Sequence, residues 1–246
     1  MRAALLSVVA LSLGCISAKH QEMANSHMEL GTAYLTEGNA PDALGELKEA
    51  VKLDRKSWAA WEKLALAYMA QNAMEESEVA FKKALRFSPG NAQVLNNYGL
   101  MLLRVERTDD AIAAFKEAGK DLSYRKPALV LSNLGYAQFI KGDYDAAIVT
   151  LDDAIRRAPK LCPAHFHRGL SYKAKGQLDP ALKDFRAVIE TCNEEAAGAY
   201  FQGAEVLASK GDQAQADEWL TAVIRLAPDT SLANSARDKL AGAGPR

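Results

Sequence analysis

Three cysteines and four histidines are the side chains of this 246-residue chain best suited to redox or metal chemistry. Cys162, His165 and His167 lie close together and invite a metal reading. On a helix Cys162 and His165 would share a face, three residues apart, whereas His167, five residues from Cys162, points elsewhere. A closed metal site needs about four ligands, and no second cluster supplies the rest, so no metal and no cofactor are assigned. No phosphate-cradling glycine loop, zinc-protease helix motif or convincing nucleophile–base pair is present either. The acidic residues are scattered over helix faces, where solvation accounts for them. The chain reads as a non-enzyme with no catalytic residues and no small-molecule substrate. Cys15, Cys162 and Cys192 remain, and their meaning depends on the elements that hold them.

Those elements repeat. Small residues recur at Gly31, Ala65, Gly99, Gly135, Gly169 and Gly203, in steps of 34, 34, 36, 34 and 34 residues. A second row, Ala43, Ser77, Ala111, Ala147, Ala181 and Ala216, keeps the same beat. A fixed period means a stack of equal units, and stacked units supply long binding surfaces. Apolar residues flank each first-row position at helical spacing, as in Leu30 with Tyr34 and Leu64 with Tyr68. Turns follow at Gly38, Gly142, Gly176 and Gly211, where glycine ends a helix in the left-handed conformation. A second amphipathic segment comes next, and Pro89, Pro159 and Pro228 close several units. Each unit is therefore helix, turn, helix. The small residue lets the two axes approach.

Composition agrees with such a stack. Apolar residues make up 49% of the chain and aromatic ones 7%, enough to fill continuous helix seams. Thirty basic and 31 acidic residues leave a net charge of −1, which removes any broad attraction to nucleic acid.

These units resemble the tetratricopeptide repeat. The second shows the pattern most fully, in Trp61, Leu64, Ala65, Tyr68, Phe81, Ala84 and Pro89; the fourth shows Leu131, Leu134, Gly135, Ala147, Leu151, Ala154 and Pro159. Six repeats fall at 24–57, 58–91, 92–125, 128–161, 162–195 and 196–230, with two extra residues near Arg125-Lys126-Pro127. Repeats one, three and five lack the closing proline, having Arg55, Ser123 and Asn193 there. The resemblance implies an all-α fold, an α-solenoid whose antiparallel helix pairs wind into a right-handed superhelix. Residues 231–246 read as a capping helix and tail.

The N-terminus adds an address. Arg2 precedes an apolar run from Ala3 to Leu13, too short to cross a bilayer and typical of a secretory signal. Leu11-Ser12-Leu13-Gly14-Cys15 resembles a bacterial lipobox, although Ser12 stands where leucine is usual. Residues 1–14 then form a lipoprotein signal peptide, and Cys15 is the lipidation site. Residues 15–23 form a linker, in which Ile16 to Met23 could reach about 28 Å fully extended. Ile16, in place of an aspartate, favours the outer membrane, with the array facing the periplasm. Export also suggests a disulfide. Cys162 opens the first helix of repeat five and Cys192 closes its second, so the two ends are neighbours in an antiparallel pair. Two unpaired, partly buried thiols are the alternative.

By the repeat resemblance, the first helices line a concave groove at Met28, Leu35, Leu66, Met69, Leu100, Leu103, Tyr136, Phe139, Phe166, Leu170, Tyr200 and Leu207. Asn96, Arg104 and Lys173 are its few polar members. Met28 and Thr32 stand where a carboxylate clamp would need lysine and asparagine, so an amphipathic helix or apolar segment fits better than a charged tail. Packing between adjacent helices explains any single one of these residues equally well. An anchor plus six repeats is similar to the type IV pilus lipoproteins of the PilF, PilW and Tgl (pilotin) family. That resemblance implies a partner, the PilQ-like pilus secretin, and a role in its outer-membrane localisation or multimerisation. A periplasmic lipoprotein scaffold for other envelope complexes is the main alternative, and a cytoplasmic co-chaperone a third.

Overall fold

The computed structural model describes residues 2–121, 124–192 and 196–242, with side chains described from residue 18 onward. Every regular element among them is an α-helix, and the chain divides between Arg107 and Thr108 into two compact units. Unit one holds α1 (Arg2–Thr36), α2 (Ala40–Leu53), α3 (Trp58–Ala70), α4 (Met74–Phe87) and α5 (Ala92–Arg104). Unit two holds α6 (Thr108–Ala118), α7 (Pro127–Lys141), α8 (Tyr144–Arg157), α9 (Cys162–Ala174), α10 (Leu178–Thr191), α11 (Ala196–Ser209), α12 (Gln213–Leu226) and α13 (Ser231–Gly242). The boundary falls inside the third repeat, between its two helices.

Local chemistry starts and stops these helices. The side chains of Asn39, Ser57, Asn91 and Asp212 accept backbone N–H bonds in the first turn that follows each, satisfying donors a helix start leaves open. Pro127 opens α7, where its missing N–H is harmless. Pro89, Pro159 and Pro228 each lie two residues beyond a helix end, at Phe87, Arg157 and Leu226. All six hairpin turns contain a left-handed residue. Gly38, Gly142, Gly176 and Gly211 behave as the sequence implies, with φ of 77°, 85°, 70° and 85°. Asn72 and Glu106 adopt the same conformation, at 59° and 60°, without glycine's freedom.

Within each unit the helix pairs are locked where a small residue meets a large one. A Cβ on Gly31, Gly135, Gly169 or Gly203 would lie 2.6, 2.4, 2.8 or 2.1 Å from Leu47, Leu151, Phe185 or Trp219 respectively. In repeat two Ala65 is fully buried, and Ser77 Oγ donates to its carbonyl at 2.9 Å. Leu47, Phe81, Phe115, Leu151 and Phe185, all at the same repeat position, have no exposed surface. In unit two, Lys141 pairs with Asp109 at 2.7 Å, Lys175 with Asp145, and Lys210 with Asp179. Each such pair links one hairpin to the next but adds little stability at an exposed site. Helix α13 packs on α12 and α11, burying Ala233 and Ala236.

One segment differs from the sequence reading. Residues 15–23, read as a linker, lie within the continuous helix α1. Nothing in Ile16 to Met23 breaks a helix: no proline or glycine interrupts alanine, lysine, glutamine, glutamate and methionine. As helix those eight residues rise about 12 Å rather than 28 Å. Residues 18–23 are exposed, so this stretch of α1 projects beyond its packed part, which begins at Ala24. The Cys15 side chain lies outside the described residues. Among the described residues no helix is long and apolar enough to cross a membrane.

Candidate functional site

The first helix of each hairpin carries one stripe toward its partner helix and another away from it. In unit one the second stripe includes Met28 and Leu35 on α1, Leu66 and Met69 on α3, and Leu100 and Leu103 on α5; all six are half-buried. Met28 and Leu35 also pack against the Ala43–Leu47–Leu64 core, so part of each is structural. A polar network crosses the same unit. Glu62, buried on α3, accepts hydrogen bonds from Gln93 Nε2 at 2.9 and 2.8 Å and from Asn97 Nδ2 at 2.8 Å. Arg104 Nη1 donates to the Met69 carbonyl at 3.2 Å. Glu62 occupies the fifth position of its repeat, a groove position by the repeat pattern. Its glutamate was a signal that the sequence reading, with Asn96, Arg104 and Lys173 as the groove's polar members, passed over.

In unit two the corresponding residues are mostly aromatic. Tyr136 on α7 stacks on His167 of α9, with ring centroids 4.2 Å apart. Phe166 meets His167 edge-on and lies over Gly198, where a Cβ would stand at an ordinary contact distance of 3.5 Å from its ring. Phe139 tilts against Tyr144, and Tyr200 meets Trp219 edge-to-face at 5.4 Å. Phe139, Phe166, Leu170 and Tyr200 are half-buried and pack against their unit's core. Leu207 does not belong with them. It is 2% exposed, inside the core, because its position on α11 faces α12 and α13. Burial holds His167 down at about pKa 4, so the imidazole is neutral and behaves as another ring of the aromatic row. Lys173 is engaged by Gln202 Oε1 and Glu205.

His165 has a different task. Its Nδ1 faces Asp184 Oδ1 at 3.1 Å and its Nε2 faces the Pro159 carbonyl at 3.0 Å. Both partners only accept, so both ring nitrogens must carry protons. The Asp184 carboxylate accordingly raises the His165 pKa above its ordinary value. Arg168 forks onto Asp184 from Nε and Nη2 at 2.8 and 2.6 Å and reaches Asp152 with Nη1. Burial pushes the Asp184 pKa up, but the Arg168 and His165 hydrogen bonds outweigh it and hold the carboxyl ionised. This network ties α8, α9 and α10 together. The sulfurs of Cys162 and Cys192 meet beside it, with Cα atoms 6.3 Å apart, inside the bridging range. Among the described residues no group of three or more His, Cys, Asp or Glu could hold a metal ion.

Half-buried apolar stripes on stacked helical hairpins define a class. Tetratricopeptide repeat models match residues 28–92 and 99–161, and further ones match 164–192 and 197–230. The chain belongs to the tetratricopeptide repeat family, whose members mediate protein–protein interaction. Within that family it is similar to the type IV pilus assembly protein PilF of Pseudomonas aeruginosa, 32% identical over 146 residues. That match covers 55% of this chain and 58% of PilF, so the chain spans less than two thirds of this relative's length. Two solved structures share the fold. The Pseudomonas aeruginosa PilF structure superposes with a TM-score of 0.77 at 22% identity, covering 90% of this chain and 99% of that one. PilW, a widely conserved type IV pilus biogenesis factor, gives 0.80 at 23% identity, with 86% and 97% covered.

Proposed function

We propose that this chain is a non-catalytic assembly factor of type IV pilus biogenesis, a pilotin. It is anchored to the outer membrane through an acylated Cys15, faces the periplasm, and holds subunits of a PilQ-like secretin until they form a ring. The observation that carries this reading is the likeness to PilF in sequence, joined to a fold shared with PilF and PilW over most of the chain. The apolar and aromatic stripes of the first helices suit an apolar or amphipathic segment of such a partner. Acylation of the new N-terminus would add more than one chain, which stable anchoring requires. The Cys162–Cys192 approach suits a protein that matures in an oxidising compartment.

Radiolabelled palmitate and affinity capture test the two halves together. The wild-type chain should take up label and retain the secretin, and Cys15→Ala should lose the label. A wild-type chain that neither incorporates palmitate nor retains the secretin would exclude this function.

A further inference from the structure

Between α2 and α4 of unit one lies a groove whose two ends differ in charge. Glu75 and Glu76 line one end, where α4 begins. At the other, a cleft of about 410 Å³ is floored by Val51, Trp61 and Phe87 and rimmed by Lys52, Arg55, Lys83 and Arg86. Four cations and no carboxylate line that cleft. Lys52 has a neighbour in Glu49 at 2.9 Å, but among the described residues no carboxylate pairs with Arg55, Lys83 or Arg86. The floor is fixed in place. Trp61 donates its indole N–H to the Arg55 carbonyl at 2.9 Å, and Lys83 Nζ stands 4.1 Å from its ring centroid. Phe87, at the outer edge of that floor, is 37% exposed.

The position of the cleft matters as much as its charge. Along α1 and α2 the partners run in opposite directions, His27 meeting Glu46 while Gly31, one turn later, lies against the Ala43 carbonyl, so α1 is antiparallel to α2. The exposed stretch of α1 therefore leaves unit one at the end where α2 finishes, beside Lys52 and Arg55. Upstream on that helix lies Cys15.

We propose that this cationic, aromatic-floored end of unit one docks on an anionic phospholipid surface. Lys52, Arg55, Lys83 and Arg86 take lipid phosphates, to which guanidinium forks and ammonium groups are well matched. Phe87 and Trp61 meet the interfacial layer, where aromatic rings are favoured. The inference rests on the membrane-anchored reading above: an acyl chain on Cys15 brings this end of the unit to the lipid. Cations beside an anchor then add affinity and fix which face looks toward the membrane.

Vesicle co-sedimentation of the full chain carrying Cys15→Ala, which cannot be acylated, is the test. Its apolar N-terminus is common to every arm, so differences read the cationic end. Binding should be stronger to phosphatidylcholine vesicles containing phosphatidylglycerol than to phosphatidylcholine alone. The K52Q/R55Q/K83Q/R86Q variant should lose about tenfold or more of that preference, each surface cation being worth up to about fivefold. K83Q/R86Q serves as a milder variant, and thermal melts confirm that both fold. K160Q/K183Q, which removes two exposed cations of unit two, should change little. Equal binding to neutral vesicles, an equal loss in the unit-two control, or full binding by the quadruple variant would overturn the proposal. So would displacement of the chain from vesicles by millimolar inorganic phosphate, which would mark an ion site. Binding of polyglutamate, but not vesicles, through these cations would mark a peptide site and overturn it likewise. Because no arm contains secretin or an acylated Cys15, failure here leaves the assembly-factor reading standing.

Discussion

A Cβ at position 203 would fall 2.1 Å from Cζ3 of Trp219, a distance no side-chain shift within the hairpin easily relieves. Gly203→Ala should therefore lower unfolding free energy by about 1–3 kcal/mol in urea titrations, and adding Trp219→Leu should restore part of the loss. Left-handed Glu106 makes the opposite case. Its conformation costs roughly 1–2 kcal/mol, against about 0.5–1 kcal/mol for the extra freedom glycine has when unfolded. Glu106→Gly should leave a net gain of about 0.5–1 kcal/mol, read by the same titration. His165 carries the pH dependence. Its folded pKa is raised above 6.5, so its contribution is complete below that value and lost as pH rises through the folded one. The stability difference between wild type and His165→Asn should shrink as pH rises above about 6.5; a difference that grows would contradict the doubly protonated assignment. The packing glycines were legible in the sequence because they recur. The turns at Asn72 and Glu106 were not, since neither residue advertises a positive φ. Nor was the Asp184–Arg168–His165 network, whose members sit 16 and 19 residues apart and share no motif.

At the scale of elements, periodicity found the hairpins well and their edges less well. Helix α1 runs through the presumed linker because no breaker stands in it, and export signals are read by cellular machinery rather than written in backbone preference. The groove stripe was readable as half-buried helix positions, yet Leu207 fell into the core. Repeat spacing assigns a position but does not say which helices enclose it, and this one lies in the core shared with α12 and α13. The Cys162–Cys192 approach was legible once the hairpin was, because an antiparallel pair returns its second end to its first. A bond between them would close a loop with a separation of 30 residues. Its reduction, or Cys162→Ser, should lower the stability of exported protein by roughly 3–4 kcal/mol, seen as a clear drop in Tm on adding dithiothreitol. An unchanged melting curve would mean that the thiols are unpaired.

For the whole molecule, the sequence made a protein-binding solenoid readable through its 34-residue beat, since each beat has the phase of a helix, a turn and a helix. The division between Arg107 and Thr108 was not readable, because the beat runs through it unbroken. The partner is a property of a second molecule, and no spacing in this chain encodes it; the proposal of a secretin rests on likeness to PilF. That claim is tested most directly by heat-resistant secretin multimers in outer-membrane fractions of a strain lacking this chain. The account predicts that multimers and pili are lost, and that the wild-type chain restores them while Cys15→Ala does not. Normal multimers and normal pili in the deletion strain would contradict it.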